Sequence, residues 1–135
     1  MARIIVDIDV PDLASGCAFY CAALDLQVAR YLFDRSVAEL VGANATIYLL
    51  EEAAGTIAAA AHRRDYARHW TPVHLDVAVD DLDAALARAV AAGATVEGNI
   101  DDASWGRIVR LADPFGHGLC LIQFSAEGYD TVVAG

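Results

Sequence analysis

His74 and Asp76 stand two residues apart in VHLDVAV (73–79), a stretch whose alternation predicts a half-buried β-strand. Alternation puts Val73, Leu75, Val77 and Val79 on one face and His74 with Asp76 on the other. An imidazole beside a carboxylate can move a proton near neutral pH, because each group shifts the other's ionisation. A second stretch of this kind, RIIVDIDV (3–10), places Ile5, Asp7 and Asp9 opposite Ile4, Val6, Ile8 and Val10. His74 with Asp7 or Asp76 is thus a candidate acid–base pair, or the three could form a metal site. The aspartates occupy matching positions in the two strands, which equally suits a structural hydrogen-bond arrangement.

The same parity assigns further side chains to this face. Tyr48 and Leu50 come from a strand over 45–51, and Cys120, Ile122 and Phe124 from one over 118–124. The expected pocket is mostly apolar, with a phenol, an imidazole, a thiol and up to three carboxylates. Trp70 and Trp105 each sit beside a strand start, where loops rim a pocket and an indole offers a flat stacking surface. Trp105 could instead pack against the nearby turn or in a subunit interface. Arg107 and Arg110 fall on opposite strand faces, so only one can reach a ligand, and Arg107 is the one assigned. His117 could line the pocket mouth or be an exposed turn residue.

The elements that must position these residues recur in a fixed order. After the first strand, Asp12 caps a helix carrying Leu13, Cys17, Tyr20, Cys21 and Leu24, and strands follow at about 26–33, 36–41 and 45–51. From residue 73 the order repeats. There is a strand, a helix capped by Asp81 with Leu82, Leu86 and Val90, a closing Gly93, and strands at about 94–98, 105–111 and 118–124. Asp113-Pro114-Phe115-Gly116 is a turn joining the last two strands. Laying VDIDVPDLASGCAFYCAALDL (6–26) on LDVAVDDLDAALARAVAAGAT (75–95) matches Asp7 with Asp76 and Asp12 with Asp81. The expected organisation is one domain over 1–135, with units of about 1–52 and 73–125 and a connector at 53–72. The connector's basic cluster (His62, Arg63, Arg64, Arg68, His69) reads as a solvated loop or the edge of an extra strand.

Composition removes several classes of function. A net charge of −10 leaves nothing to neutralise phosphates, which excludes nucleic acid as partner. No apolar run approaches the roughly 18 residues of a membrane span, and the N-terminus lacks a signal layout, so a cytoplasmic location is expected. Cys17, Cys21 and Cys120 make an odd number, which suits a reducing compartment, and the apolar CAFYCAAL context makes the first two core thiols.

Three stretches, VPDLASGCAFYCAALDL, VHLDVAVDDLDAALARAVAAGA and WGRIVRLADPFGHGLCLIQF, resemble the vicinal oxygen chelate superfamily of glyoxalases, bleomycin-resistance proteins and extradiol dioxygenases. The resemblance implies an α+β fold in which two βαβββ repeats form a cupped mixed sheet around a cavity. It also implies a homodimer. Metal enzymes of the superfamily take one ligand from the first and one from the last strand of each unit, positions filled here by Ile5, Tyr48, His74 and Cys120. His or Glu is usual there, and only His74 fits, so no metal and no cofactor are expected. The function implied is a metal-independent binding protein for an antibiotic or metabolite of apolar or cationic character. The alternative is a lyase, isomerase or dioxygenase-type enzyme using His74 in a non-standard metal or acid–base site. An interaction module without a ligand is a third reading.

Overall fold

The structure, a computed structural model, describes residues Met1–Gly135 and divides into two compact units, Met1–Ala67 and Arg68–Gly135. In the first, β1 (Ile5–Val10) leads into α1 (Leu13–Leu24), and β2 (Gln27–Leu32), β3 (Val37–Val41) and β4 (Thr46–Glu51) follow as a meander. The sheet order is β1-β4-β3-β2, with β1 parallel to β4 and the remaining pairs antiparallel. A two-stranded hairpin, β5 (Ile57–Ala59) and β6 (His62–Arg63), completes this unit.

The second unit repeats the plan. β7 (Leu75–Ala78), α2 (Leu82–Ala92), β8 (Thr95–Val96), β10 (Gly106–Ala112) and β11 (Gly118–Phe124) give the order β7-β11-β10-β8, and β7 is parallel to β11. The short β9 (Asp101–Ala103) pairs with β10, and a 3₁₀ helix spans Gly128–Val132. Each unit is therefore the βαβββ element that the repeat predicts. No helix is long and apolar enough to cross a membrane.

Both helices start as the sequence dictates. The carboxylates of Asp12 and Asp81 accept from the backbone N–H of Ser15 and Ala84 at 2.9 and 3.1 Å. A second donor in each first turn is met from the last strand of the same unit. Leu13 N–H donates to Glu51 at 2.8 Å, and Leu82 N–H to Gln123 at 2.7 Å. One side chain thus ties helix start to strand end in both repeats, satisfying backbone groups that helix starts leave open.

The helix covers one face of each sheet, and burial follows parity. Leu40, Ile47 and Leu49 are buried in the first unit and Val109, Leu111 and Leu121 in the second. On α2 the buried stripe is Leu82, Ala85 and Ala89, whereas Val90 is exposed and Leu86 only half-buried. The apolar spacing favoured Leu86 and Val90, but the two alanines turn inward, where small side chains let the helix lie close to the sheet. Two strands escaped the sequence pattern: β5 lies in an alanine-rich run without alternation, and β9 is mostly acidic. Arg64, from the basic connector, is held at 2.7 Å by Asp9 and at 3.6 Å by Glu52.

Candidate functional site

The sheet faces opposite the helices carry the chemistry. In the second unit β7 and β11 run in register with Asp76 beside Cys120, and β10 places Arg110 on the other side of Cys120. The Nε2 of His74, just ahead of β7, lies 3.2 Å from Oδ1 of Asp76. The Cys120 thiol is 7% exposed; burial pushes its pKa up, and the charge and hydrogen bonding of Asp76 add to this. Cys120 is accordingly held as a protonated thiol between a carboxylate and a guanidinium. Trp70 stands over this group, its ring centroid 5.8 Å from that of His74, and is 67% exposed.

These side chains border a cleft of about 170 Å³. Arg68, Trp70 and His74 form one side, and Ile108, Arg110 and Cys120 contribute from β10 and β11. Arg68 makes a two-pronged contact with Glu97 at 2.9 and 3.0 Å, which raises the pKa of the guanidinium and lowers that of the carboxyl. Gly118 makes room for it, since a Cβ there would lie 2.5 Å from Nη2 of Arg68. A second cleft of about 160 Å³ shares Ile108, Arg110 and Cys120 but is bordered by Glu97 and Asp101.

The structure therefore gathers Trp70, His74 and Cys120 at one cleft and joins Asp76 to them. Other expected site residues lie elsewhere. Arg107 points to the helix side, reaching Asp83 on α2 at 3.1 Å and Asp102 at 3.0 Å, and Arg110 takes the place foreseen for it. Trp105 packs on Tyr129 of the 3₁₀ helix at 5.5 Å between centroids and borders neither cleft. Ile122 is 2% exposed and borders neither cleft. His117 belongs to the turn after β10, where the buried Asp113 accepts from its backbone N–H and that of Phe115, both at 2.8 Å.

Asp7 and Tyr48 belong to the first unit, in register with one another on β1 and β4. Tyr48 donates its hydroxyl to Glu39 at 2.9 Å, and Arg30 grips the same carboxylate at 3.1 Å through two nitrogens. Glu39 pushes the phenol pKa up, and Arg30 draws the Glu39 pKa down.

Sequence reasoning missed Arg68 and left Arg110 as the alternative. Arg68 lies in a connector without periodicity. Arg110 could have been selected by pairing the strands outward from the Asp113–Gly116 turn, which sets it opposite Cys120. The charge of the cleft also differs from expectation. A ligand of apolar or cationic character is expected, and the overall charge of −10 could suit a cation, yet this cleft is bordered by two arginines and a histidine and by no carboxylate. Net charge sums the whole chain and says nothing of one wall.

Residues 4–122 match the family described as the glyoxalase-like domain, and the chain belongs to that family. Membership of the vicinal oxygen chelate superfamily, which the three stretches imply, is thereby met. Among solved structures, the fosfomycin resistance protein FosX from Listeria monocytogenes superposes with a TM-score of 0.70 at 18% identity, covering 93% of both chains. A glyoxalase/bleomycin resistance protein/dioxygenase domain from Frankia sp. gives a TM-score of 0.68 at 20% identity over 96% of each chain. These likenesses establish the glyoxalase/bleomycin-resistance fold. An uncharacterized protein of Mycobacterium bovis is 50% identical over 48 residues, which is 35% of this chain and 32% of that protein. An uncharacterized protein of Mycobacterium tuberculosis matches equally over 28% of its length.

The superfamily's usual divalent ion does not fit the four corresponding positions. Ile5 is hydrocarbon, and the Tyr48 phenol is held protonated by Glu39. A different set lies within the second unit, where ligand atoms of His74, Asp76 and Cys120 all fall within 4.8 Å of one another. Nitrogen, oxygen and sulfur donors together suit a zinc-like ion, provided the thiol gives up its proton.

Proposed function

We propose that this protein is a small-molecule-binding member of the glyoxalase-like family, and that its ligand occupies the Trp70–His74–Cys120 cleft without need of a metal. The observation that carries this reading is an indole left 67% exposed beside an imidazole, over a floor containing Ile108 and the buried Cys120. Small-molecule sites pair apolar walls with a few convergent polar groups, and this cleft has that make-up. Resistance proteins share the fold, so antibiotics and secondary metabolites with a planar apolar portion are the compounds to screen. A homodimer is part of the reading, and light scattering tests it.

The experiment is a thermal-shift screen of chelator-treated protein. A compound at a hundredfold excess over its Kd should stabilise by about 2.7 kcal/mol, and the gain should vanish in Trp70→Ala. Binding that requires added metal, or that is unchanged by Trp70→Ala, contradicts the proposal.

A second reading is favoured by the His74–Asp76–Cys120 cluster, namely an enzyme working by acid–base transfer at His74 or with an ion held there. Such an ion would be held by His74, Asp76 and Cys120 and would supply Lewis acidity; in the metal-free version Asp76 orients the imidazole through the 3.2 Å contact. Metal analysis of protein purified without chelator tests it. Stoichiometric zinc lost in His74→Ala would establish this reading over the first.

A further inference from the structure

We propose that the cleft selects an oxyanion, taking a small planar molecule whose carboxylate or comparable group is held by Arg110 while its ring lies against Trp70. This rests on the cleft being the ligand site and names the class of ligand it takes.

Charge bookkeeping within the second unit carries the argument. The chain has 19 acidic residues against 9 arginines, and of the four arginines in the second unit two hold carboxylates, while Arg88 stands exposed on α2. Arg107 holds Asp83 and Asp102, and Arg68 holds Glu97. Arg110 has no carboxylate within ion-pair distance although it lies in a carboxylate-rich unit, and its side chain opens onto the cleft. Its partner is the Cys120 thiol; of the carboxylates around it, Asp76 faces His74 and that thiol, Glu97 is clasped by Arg68, and Asp101 borders the adjoining cleft without reaching ion-pair distance. The result is a wall of two guanidiniums and an imidazole with no acid. Ligand oxyanions meet such a wall in charge-assisted, two-pronged fashion, which an amine cannot do.

Arg68 is a second anchor held in reserve. Glu97 occupies on its guanidinium the place that a ligand carboxylate would take, and the bare backbone at Gly118 leaves that guanidinium against the cleft. The adjoining cleft, with Glu97 and Asp101 on its border, is the wrong half for an anion and fits a neutral part of the ligand. Trp70 supplies the plate for a ring.

The test uses the full chain and matched probes: benzoate and 2-naphthoate, each with its carboxamide and its aminomethyl counterpart, titrated by calorimetry. The carboxylates should bind about tenfold more tightly than their amides, as expected for hydrogen bonds to a charged group. Arg110→Gln should bring that ratio close to one while leaving amide binding in place. Glu97→Gln, which frees Arg68, should tighten the carboxylates further. Amides or amines binding as tightly as carboxylates, or a preference that survives Arg110→Gln, would overturn the proposal while leaving the cleft as the ligand site. Failure of every probe to bind would instead count against both the oxyanion and the cleft.

Discussion

Tyr48 donates its hydroxyl to Glu39 at 2.9 Å, on the pair of strand positions that the second unit fills with Cys120 and Arg110. The two copies thus present opposite charges at equivalent places, a carboxylate beside a phenol in one and a guanidinium beside a thiol in the other. Sharing a topology, they have diverged in what their open faces can bind. The pocket chemistry belongs to individual residues, not to the repeat.

The Glu39 network has a pH signature. Arg30 and Tyr48 hold the Glu39 carboxyl below its ordinary value of 4.5 in the folded chain. Its contribution to stability is therefore complete above that value and is lost as pH falls through the lowered folded pKa. Urea denaturation from pH 7 down to pH 3 should show wild type losing more stability than Glu39→Gln across the acid limb. Parallel curves for the two proteins would contradict this.

The helix-start ties should be worth similar amounts in both units. Replacing Gln123 by Ala strands the Leu82 N–H, and replacing Glu51 by Ala strands that of Leu13. Each substitution should cost about 1 kcal/mol in chemical denaturation. A cost in one unit only would show that the equivalence is geometric and not energetic.

Gly106 opens β10 at a φ of 149°, and a Cβ there would lie 2.2 Å from the carbonyl oxygen of Gln123. No side chain shift relieves a clash with backbone, so the β10–β11 pairing itself must move. Gly106→Ala should destabilise by about 3 kcal/mol or more, read from the denaturation midpoint. A loss below about 1 kcal/mol would show that the strand pair yields more easily than its register suggests.

The Cys120 thiol should be slow to alkylate. Burial and Asp76 both keep its proton on. At pH 8 iodoacetamide should label it far more slowly in folded than in unfolded protein, and Asp76→Asn should speed labelling. Equal rates in wild type and Asp76→Asn would show that burial alone protects it.

Much of this was legible in the sequence, for identifiable reasons. The match of Asp12 with Asp81 exposed the repeat because both copies need the same helix cap. Strict alternation in 73–79 put His74 and Asp76 on one face, and parity in the strand over 118–124 added Cys120 to it. Arg68 lies where no periodicity operates, and its place depends on Glu97, 29 residues further on. Arg107 and Arg110 differ only in parity, and choosing between them needed the register of β10 with β11. Trp105 is claimed by Tyr129, on a 3₁₀ helix that no sequence pattern announced.

The two tryptophans allow the central claim to be read directly. Protein labelled with 5-fluorotryptophan gives one fluorine resonance each for Trp70 and Trp105, assigned through Trp70→Phe and Trp105→Phe. Titration with the tightest-binding compound of the thermal-shift screen should move the Trp70 signal and leave that of Trp105 in place. Movement of the Trp105 signal with Trp70 unmoved at saturation would place the ligand outside the His74–Cys120 cleft and contradict the account.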